Sequence, residues 1–225
     1  MIKKIINTNS HNIREYDKKF LKQGYGIKYP EGHVIRNSKH FRNKESILDF
    51  GCGNGTHLKY FKELNIKKIY GVDTSKVIKD IKKNQFRLFQ INERDDLIKI
   101  IKIKFDVIFV NQVFYYMNNE TIDYYLNQFS KMLKKDGIMF TTWMAPKTSY
   151  YKLSKKIKNS EMRKLVFGSR LKETTYINFK TKADIKKQFH KHNFETINFG
   201  HYDSQMNHDE IDSGSYHYLH LCKKK

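Results

Sequence analysis

Proline is almost missing from this chain of 225 residues: Pro30 and Pro146 are the only two. Turns therefore fall to glycine, asparagine and charged clusters, and no proline-rich linker divides the sequence. Cysteine is equally scarce. Cys52 and Cys222 make neither a CxxC pair nor a disulfide framework, so a reducing compartment, the cytoplasm, is expected. No apolar run approaches the roughly 18 residues that a membrane span needs. The N-terminal MIKKIINTNS has lysines but no apolar stretch of signal-peptide length. Acids are the third shortage. Asp plus Glu number 23 against 44 Lys plus Arg, giving a formal charge of +21. Such a field favours anionic partners, from nucleic acid to phosphorylated metabolites. Lys, Ile and Asn are abundant everywhere, however, as in proteins from AT-rich coding sequence, so charge alone names no partner. Aromatic residues are plentiful, with 16 Phe and 15 Tyr, and these rings give a core its bulk.

The apolar pattern alternates between two periods. Helices are expected at 12–22 and 33–42. Ser46–Phe50 then reads as a strand, 56–64 as a helix and Lys68–Asp73 as a strand. A helix at 75–83, a strand at 86–90 and a helix at 94–102 follow. Phe105–Val110 is the clearest buried strand. Residues 119–134 place Ile122, Leu126, Phe129 and Leu133 on one helix face, and Ile138–Trp143 is a fifth strand. Strands alternating with helices imply a parallel sheet covered on both faces. Residues 147–172 break the rhythm and are expected to form one or two basic helices. Thr181–His192 is a helix with a threonine N-cap, and 194–199 and 215–221 are closing strands.

The central motif is Ile47-Leu-Asp-Phe-Gly-Cys-Gly-Asn-Gly55, which leaves a strand and enters a helix. Gly51 and Gly53 permit tight turning and close approach of backbone to ligand. The free amides of the following helix can bind a polar or anionic group. Asp73 ends the second strand, where a carboxylate can accept both hydroxyls of an adenosine ribose. With Asp49 ahead of a GxGxG loop and an acid at the second strand end, the chain resembles the class I S-adenosyl-L-methionine (SAM) methyltransferases. The likeness extends over most of the chain, to Leu133-Lys-Lys-Asp-Gly-Ile-Met-Phe140 and the closing strand pair.

The resemblance implies an α/β fold: a Rossmann-like doubly wound sheet of seven strands, mostly parallel with an antiparallel last strand. One domain over 1–225 would comprise a helical N-terminal cap (1–44), a SAM-binding core (45–146), a basic acceptor-side insert (147–180) and a closing helix and strand pair (181–225). SAM is the implied cofactor and S-adenosyl-L-homocysteine the product. Gly51 and Gly53 would lie under the methionine moiety with Asp49 near its amino group. Asp73 would hold the ribose, with Thr74 and Ser75 beside the adenine and Asn92 and Glu93 facing its amine. Asn111 and Gln112 would face the methyl group, followed by Tyr115 in a catalytic position and Tyr116 on the substrate. In the cap, Tyr29 and Arg36 suit the methionine carboxylate, with Tyr16 behind them. The stretch Tyr29-Pro-Glu-Gly-His-Val-Ile-Arg36 also resembles methyltransferases of bacterial surface-polysaccharide clusters, including those making O-methyl phosphoramidate groups.

The acceptor is approached by exclusion. The loop Asn111-Gln112-Val113-Phe114 lacks the prolines of adenine N6 enzymes, neither cysteine sits where a cytosine C5 nucleophile belongs, and no carboxylate cluster points to a metal. A hydroxyl acceptor benefits from a base. His201 is the first candidate and His33 the second, with His208 on the substrate side. From Lys152 to Lys172 the insert holds eight basic residues and one acid. Arg163 and Arg170 could clamp an anion there. The expectation is methyl transfer to an oxygen of a small anionic metabolite. The alternatives are an RNA methyltransferase using the basic surface and a non-catalytic SAM-binding regulatory subunit.

Overall fold

The structure, a computed structural model, describes residues 7–23, 26–81, 85–167, 173–203 and 215–225. Arg170, His208 and the last two residues of the helix expected at 75–83 lie outside the described residues. The strands are β1 (Ser46–Phe50), β2 (Lys68–Asp73), β3 (Arg87–Gln90), β4 (Phe105–Val110), β5 (Leu133–Met144), β6 (Lys155–Lys156), β7 (Arg163–Phe167), β8 (Glu173–Ile177), β9 (Phe194–Asp203) and β10 (Tyr216–Lys224). Seven of them form one sheet in the order β3-β2-β1-β4-β5-β10-β9. The pairings from β3 to β5 are parallel, and β10 runs antiparallel to both of its neighbours. The order reverses direction at β1, which puts the ligand crevice beyond the carboxyl ends of β1 and β4.

The helices are α1 (Thr8–Gln23), α2 (Gly32–Arg36), α3 (Thr56–Glu63), α4 (Leu97–Ile100), α5 (Asn119–Met132), α6 (Ser149–Leu153) and α7 (Lys182–Lys191). Their starts follow capping chemistry. The Asn118 side chain accepts the Thr121 amide at the head of α5, and Thr181 with Asp184 forms a capping box on α7. Three expected helices are shorter than their apolar spacing implied. The one expected at 33–42 stops at Arg36, and 38–40 forms a separate 3-10 turn. The Ser75 hydroxyl accepts the Val77 amide and tightens 76–80 into a 3-10 turn. Asp96 caps α4, but Ile101 is already extended.

Aromatic rings fill both faces of the sheet. On one, Phe50, Tyr125, Phe129, Phe114, Trp143 and Phe189 are buried together. On the other, Phe41 meets Phe61, Phe109 and Phe140 edge-on at centroid distances of 5.5, 5.7 and 5.4 Å, a favoured geometry.

The insert corrects the expectation of basic helices. After the single turn of α6 it forms a three-stranded antiparallel sheet, β6-β7-β8. Its lysines and arginines gave it a helical look, but Val166, Thr174, Thr175 and Ile177 are β-branched and favour the pleated ladder. Leu165 is buried between exposed Lys164 and Val166, the alternation of a strand with one covered face.

Candidate functional site

The loop after β1 is a backbone device. Gly51, Gly53 and Gly55 all take positive φ, at 80°, 51° and 77°. The Gly51 and Cys52 amides both bond the Val72 carbonyl, at 2.8 and 3.1 Å, so the loop folds onto β2. Asp73 completes the turn. One carboxylate oxygen accepts the Gly53 amide and the other the Ser75 amide, each at 2.7 Å. Its carboxyl lies above the usual range because burial outweighs these bonds. Asp49, beneath the loop, is 2% exposed and its Oδ2 has no hydrogen-bond partner. Burial first, and then the Asp73 charge, push its carboxyl well above the ordinary aspartate value.

The N-terminal segment covers this loop. A Cβ on Gly53 would lie 2.9 Å from Tyr16 Oη, and the Ser75 hydroxyl donates to Asp17. Asn54 Nδ2 donates to the Ile27 carbonyl at 2.9 Å, and the Thr56 hydroxyl bonds the same oxygen. Tyr16, expected behind the first rank, is thus nearest the glycines. Tyr29 is 80% exposed. Arg36 is exposed too, with Nη1 3.2 Å from where a Gly32 Cβ would stand. Neither is brought to the loop.

The expected adenine residues separate. Asn92 is exposed and bonds Asp95 within its own turn. Glu93 accepts Asn9 Nδ2 at 2.6 Å and the Ser10 hydroxyl at 3.2 Å. The Thr74 carbonyl accepts Gln90 Nε2 at 3.4 Å.

At the end of β4 lies a polar cluster that the sequence only half disclosed. Asn111 Nδ2 and Gln112 Nε2 donate to the two oxygens of Glu31, at 2.6 and 2.5 Å. Asn111 Oδ1 is thereby left to accept from His33 Nε2 at 2.9 Å, which fixes the proton of that ring on Nε2. His57 Nε2 is 3.8 Å from Glu31 Oε2. Burial holds His33 down at about 4 and His57 at about 3, so both rings are neutral near pH 7. Burial raises the Glu31 carboxyl, against the two amide donors. The ring of His33 stacks on Tyr202 with centroids 3.8 Å apart, and Tyr202 stacks on His217 at 4.8 Å.

The insert closes the far side with apolar surface. Leu165 and Ile177 bury Tyr115 and Met144, with Tyr116, Tyr150 and Phe179 packed against them. Tyr115 is brought to the site, but burial raises its hydroxyl well above the usual tyrosine value. Arg163 is not turned toward it as an anion clamp. Its Nε donates to Ser154 Oγ at 2.7 Å and Nη2 to the Ser154 carbonyl at 2.8 Å, and the guanidinium lies 4.2 Å from the Tyr151 ring centre. His201 is exposed and stacks on Tyr216, away from the Glu31 cluster. Among the described residues, no group of three or more His, Cys, Asp or Glu side chains could hold a metal ion, and no helix is long and apolar enough to cross a membrane.

The profile of the methyltransferase domain matches residues 23–198. The chain belongs to the class I SAM-dependent methyltransferases. This methyltransferase is 32% identical over 125 residues to a ubiquinone biosynthesis O-methyltransferase from Pelagibacter ubique (strain HTCC1062), covering 51% of this chain and 50% of that relative. The match therefore spans about half the length of the curated relative. A SAM-dependent methyltransferase from Anabaena variabilis ATCC 29413 shares the fold with a TM-score of 0.71 at 16% identity, covering 98% of this chain and 96% of that one. Magnesium protoporphyrin IX methyltransferase from Synechocystis PCC 6803, solved with bound S-adenosyl-L-homocysteine, has a TM-score of 0.62 at 14% identity, covering 95% and 100%.

SAM is the cofactor of the family to which the chain belongs, and the residues present fit it. The glycine loop offers backbone without side chains, Asp73 keeps lone pairs beyond its two amide bonds, and the unpartnered Asp49 Oδ2 is a buried acceptor suited to an ammonium group.

Sequence reasoning passed over Glu31, Asp17, His57, Tyr202 and His217. For His217 a signal existed: alternation in 215–221 puts it on one face with Leu219 and Leu221. The role of Glu31 depends on chain folding over β4, which local pattern does not encode.

Proposed function

We propose that this methyltransferase transfers a methyl group to a hydroxyl oxygen of a small molecule with a flat, apolar body. The observation that carries this reading is the juxtaposition of the Glu31–Asn111–Gln112 cluster with the aromatic layer of Tyr115, Tyr116, Tyr150 and Phe179. The amide groups can orient a polar substituent, while the rings and Met144 suit an apolar body. When bound, the cofactor supplies an electrophilic methyl group on a sulfonium sulfur. The protein then has to align the acceptor oxygen and exclude water, and alignment of this kind is worth several kcal/mol of barrier. The name of the Pelagibacter relative, an O-methyltransferase, supports oxygen as the acceptor atom. The engagement of Arg163 with Ser154 supports an apolar acceptor over an anionic one.

The experiment is incubation with methyl-labelled SAM and fractionated cell extract. Label in a low-molecular-weight, organic-soluble product is expected. Label in RNA would overturn the reading and make the +21 charge functional. Cofactor binding without any labelled product would leave a SAM-binding regulatory subunit instead.

A further inference from the structure

His217 stands at the end of β10 that pairs with Met144, the last residue of β5. It is 3% exposed. Its Nδ1 lies 2.8 Å from the Ser215 carbonyl. A carbonyl only accepts, so Nδ1 carries the proton and Nε2 bears a lone pair. That Nε2 is buried and has no hydrogen-bond partner. The ring is held between Tyr202, stacked at 4.8 Å, and Tyr115, with centroids 5.5 Å apart. Tyr115 belongs to the apolar acceptor layer, and Tyr202 Oη is 3.5 Å from Gln112 Nε2. A buried basic nitrogen without a partner is costly in a stable core. Here it sits where the acceptor layer meets the polar cluster.

We infer that His217 Nε2 is the general base that takes the proton from the acceptor hydroxyl. The inference rests on the proposed oxygen acceptor, since an acceptor already ionised needs no base. In the step, the acceptor O–H bond breaks and its proton forms the Nε2–H bond. The oxygen's electron pair bonds the methyl carbon, and the pair of the broken carbon–sulfur bond stays on sulfur. The proton passes to water after the product leaves. One positive charge is present before the step and one after it, so the buried site never holds two. The stacked face of Tyr202 favours the imidazolium that forms. His33, the second candidate base, has its Nε2 proton committed to Asn111, and exposed His201 lies away from this cluster.

Burial lowers His217 to about 4. The titratable groups around it are Tyr115 after β4, Tyr202 from β9 and His33 from the cap, and Glu31 acts on Tyr115 and Tyr202 behind them. The lone pair is therefore free throughout the neutral range.

Two measurements test the assignment. In the first, the methyl-labelled extract assay is run with wild type and His217→Phe, a ring that can keep the stack on Tyr202. The variant is expected to label product at least 100-fold more slowly at pH 7 and to recover with rising pH as the acceptor ionises unaided, with SAM affinity by calorimetry within threefold of wild type. Variant labelling within fivefold of wild type, or a loss unchanged by pH, overturns the base and leaves the O-methylation reading standing. Absence of a labelled small product in the wild type overturns both. In the second, nitrogen NMR of histidine-labelled wild type is followed as phenol is added to the S-adenosyl-L-homocysteine complex. The bare Nε2 signal of His217 is expected to shift while Nδ1 stays protonated. A protonated Nε2 in the starting complex, or no shift at saturating phenol, refutes the assignment even if the variant fails to fold.

Discussion

The carboxylate of Asp73 accepts the Gly53 amide at 2.7 Å, so the acid at the end of β2 and the loop at the end of β1 form one hydrogen-bonded unit. The second oxygen takes the Ser75 amide at the same distance. A side chain gripped at both oxygens is oriented before any ribose arrives, and less ordering remains to be done on binding.

Replacing Asp73 by alanine removes the anchor of the loop together with the carboxylate assigned to the ribose by expectation. SAM affinity, measured by calorimetry, is expected to fall at least 100-fold, about 2.7 kcal/mol. An affinity within threefold of wild type would refute the ribose assignment.

Asp49→Asn separates binding from stability. The native carboxyl is buried, has one unpartnered oxygen and is raised by desolvation and by Asp73. A group whose folded pKa is raised loses stability as pH rises through that value, so this carboxyl weakens the fold on the way from acid to neutral pH. The amide variant should melt about 3 °C or more above wild type without cofactor while binding SAM more weakly. A lower melting temperature together with unchanged affinity would contradict both halves.

Gly51→Ala tests the loop backbone. The position has φ 80°, and a Cβ would come 2.3 Å from Val113 Cγ2. A loss of about 2 kcal/mol or more is expected from overpacking and strain together. Adding Val113→Ala should relieve the collision but not the left-handed backbone, so rescue measured by urea unfolding should be partial. Full rescue would mean the conformation carries no penalty.

Acid should weaken the protein through its buried histidines. His33 and His217 are lowered to about 4, and His57 and His220 to about 3, all by burial first. Above about 6.5 both folded and unfolded forms are neutral. As pH falls from there toward 4, the unfolded chain takes up protons that the fold refuses, and stability drops. Each histidine contributes up to about 1.4 kcal/mol per pH unit. Glu31, Asp49 and Asp73, raised instead, offset part of this. Melting temperatures at pH 8 and 5.5 should differ, and His57→Phe should reduce the difference. Identical slopes for variant and wild type would remove His57 from this account.

The core was legible because its signals are local. Ile47-Leu-Asp-Phe50 and Phe105–Val110 are apolar runs of strand length, and each expected span coincides with the strand observed. Thr181 and Asp184 announce a helix start by capping chemistry alone. The cap and the insert were less legible because their contacts are long-range. Glu31 meets Asn111 across 80 positions, and Arg163 bonds Ser154 only because β6 and β7 pair. A histidine at the surface and one in a pocket look alike in sequence. His201 and His217 differ by which face of a strand they occupy, a matter of register between β9 and β10.

Helix α1 touches both walls of the site. Asp17 is bonded to Ser75 beside the glycine loop, while Asn12 accepts the Tyr176 amide at 3.0 Å and donates to the Tyr176 carbonyl at 2.8 Å. Asn12 also donates to the Tyr116 carbonyl at 2.9 Å. A single rigid bar thus rests on the nucleoside side and on the acceptor side at once. It cannot lift from one wall without pulling on the other, so the two sides of the crevice share one brace.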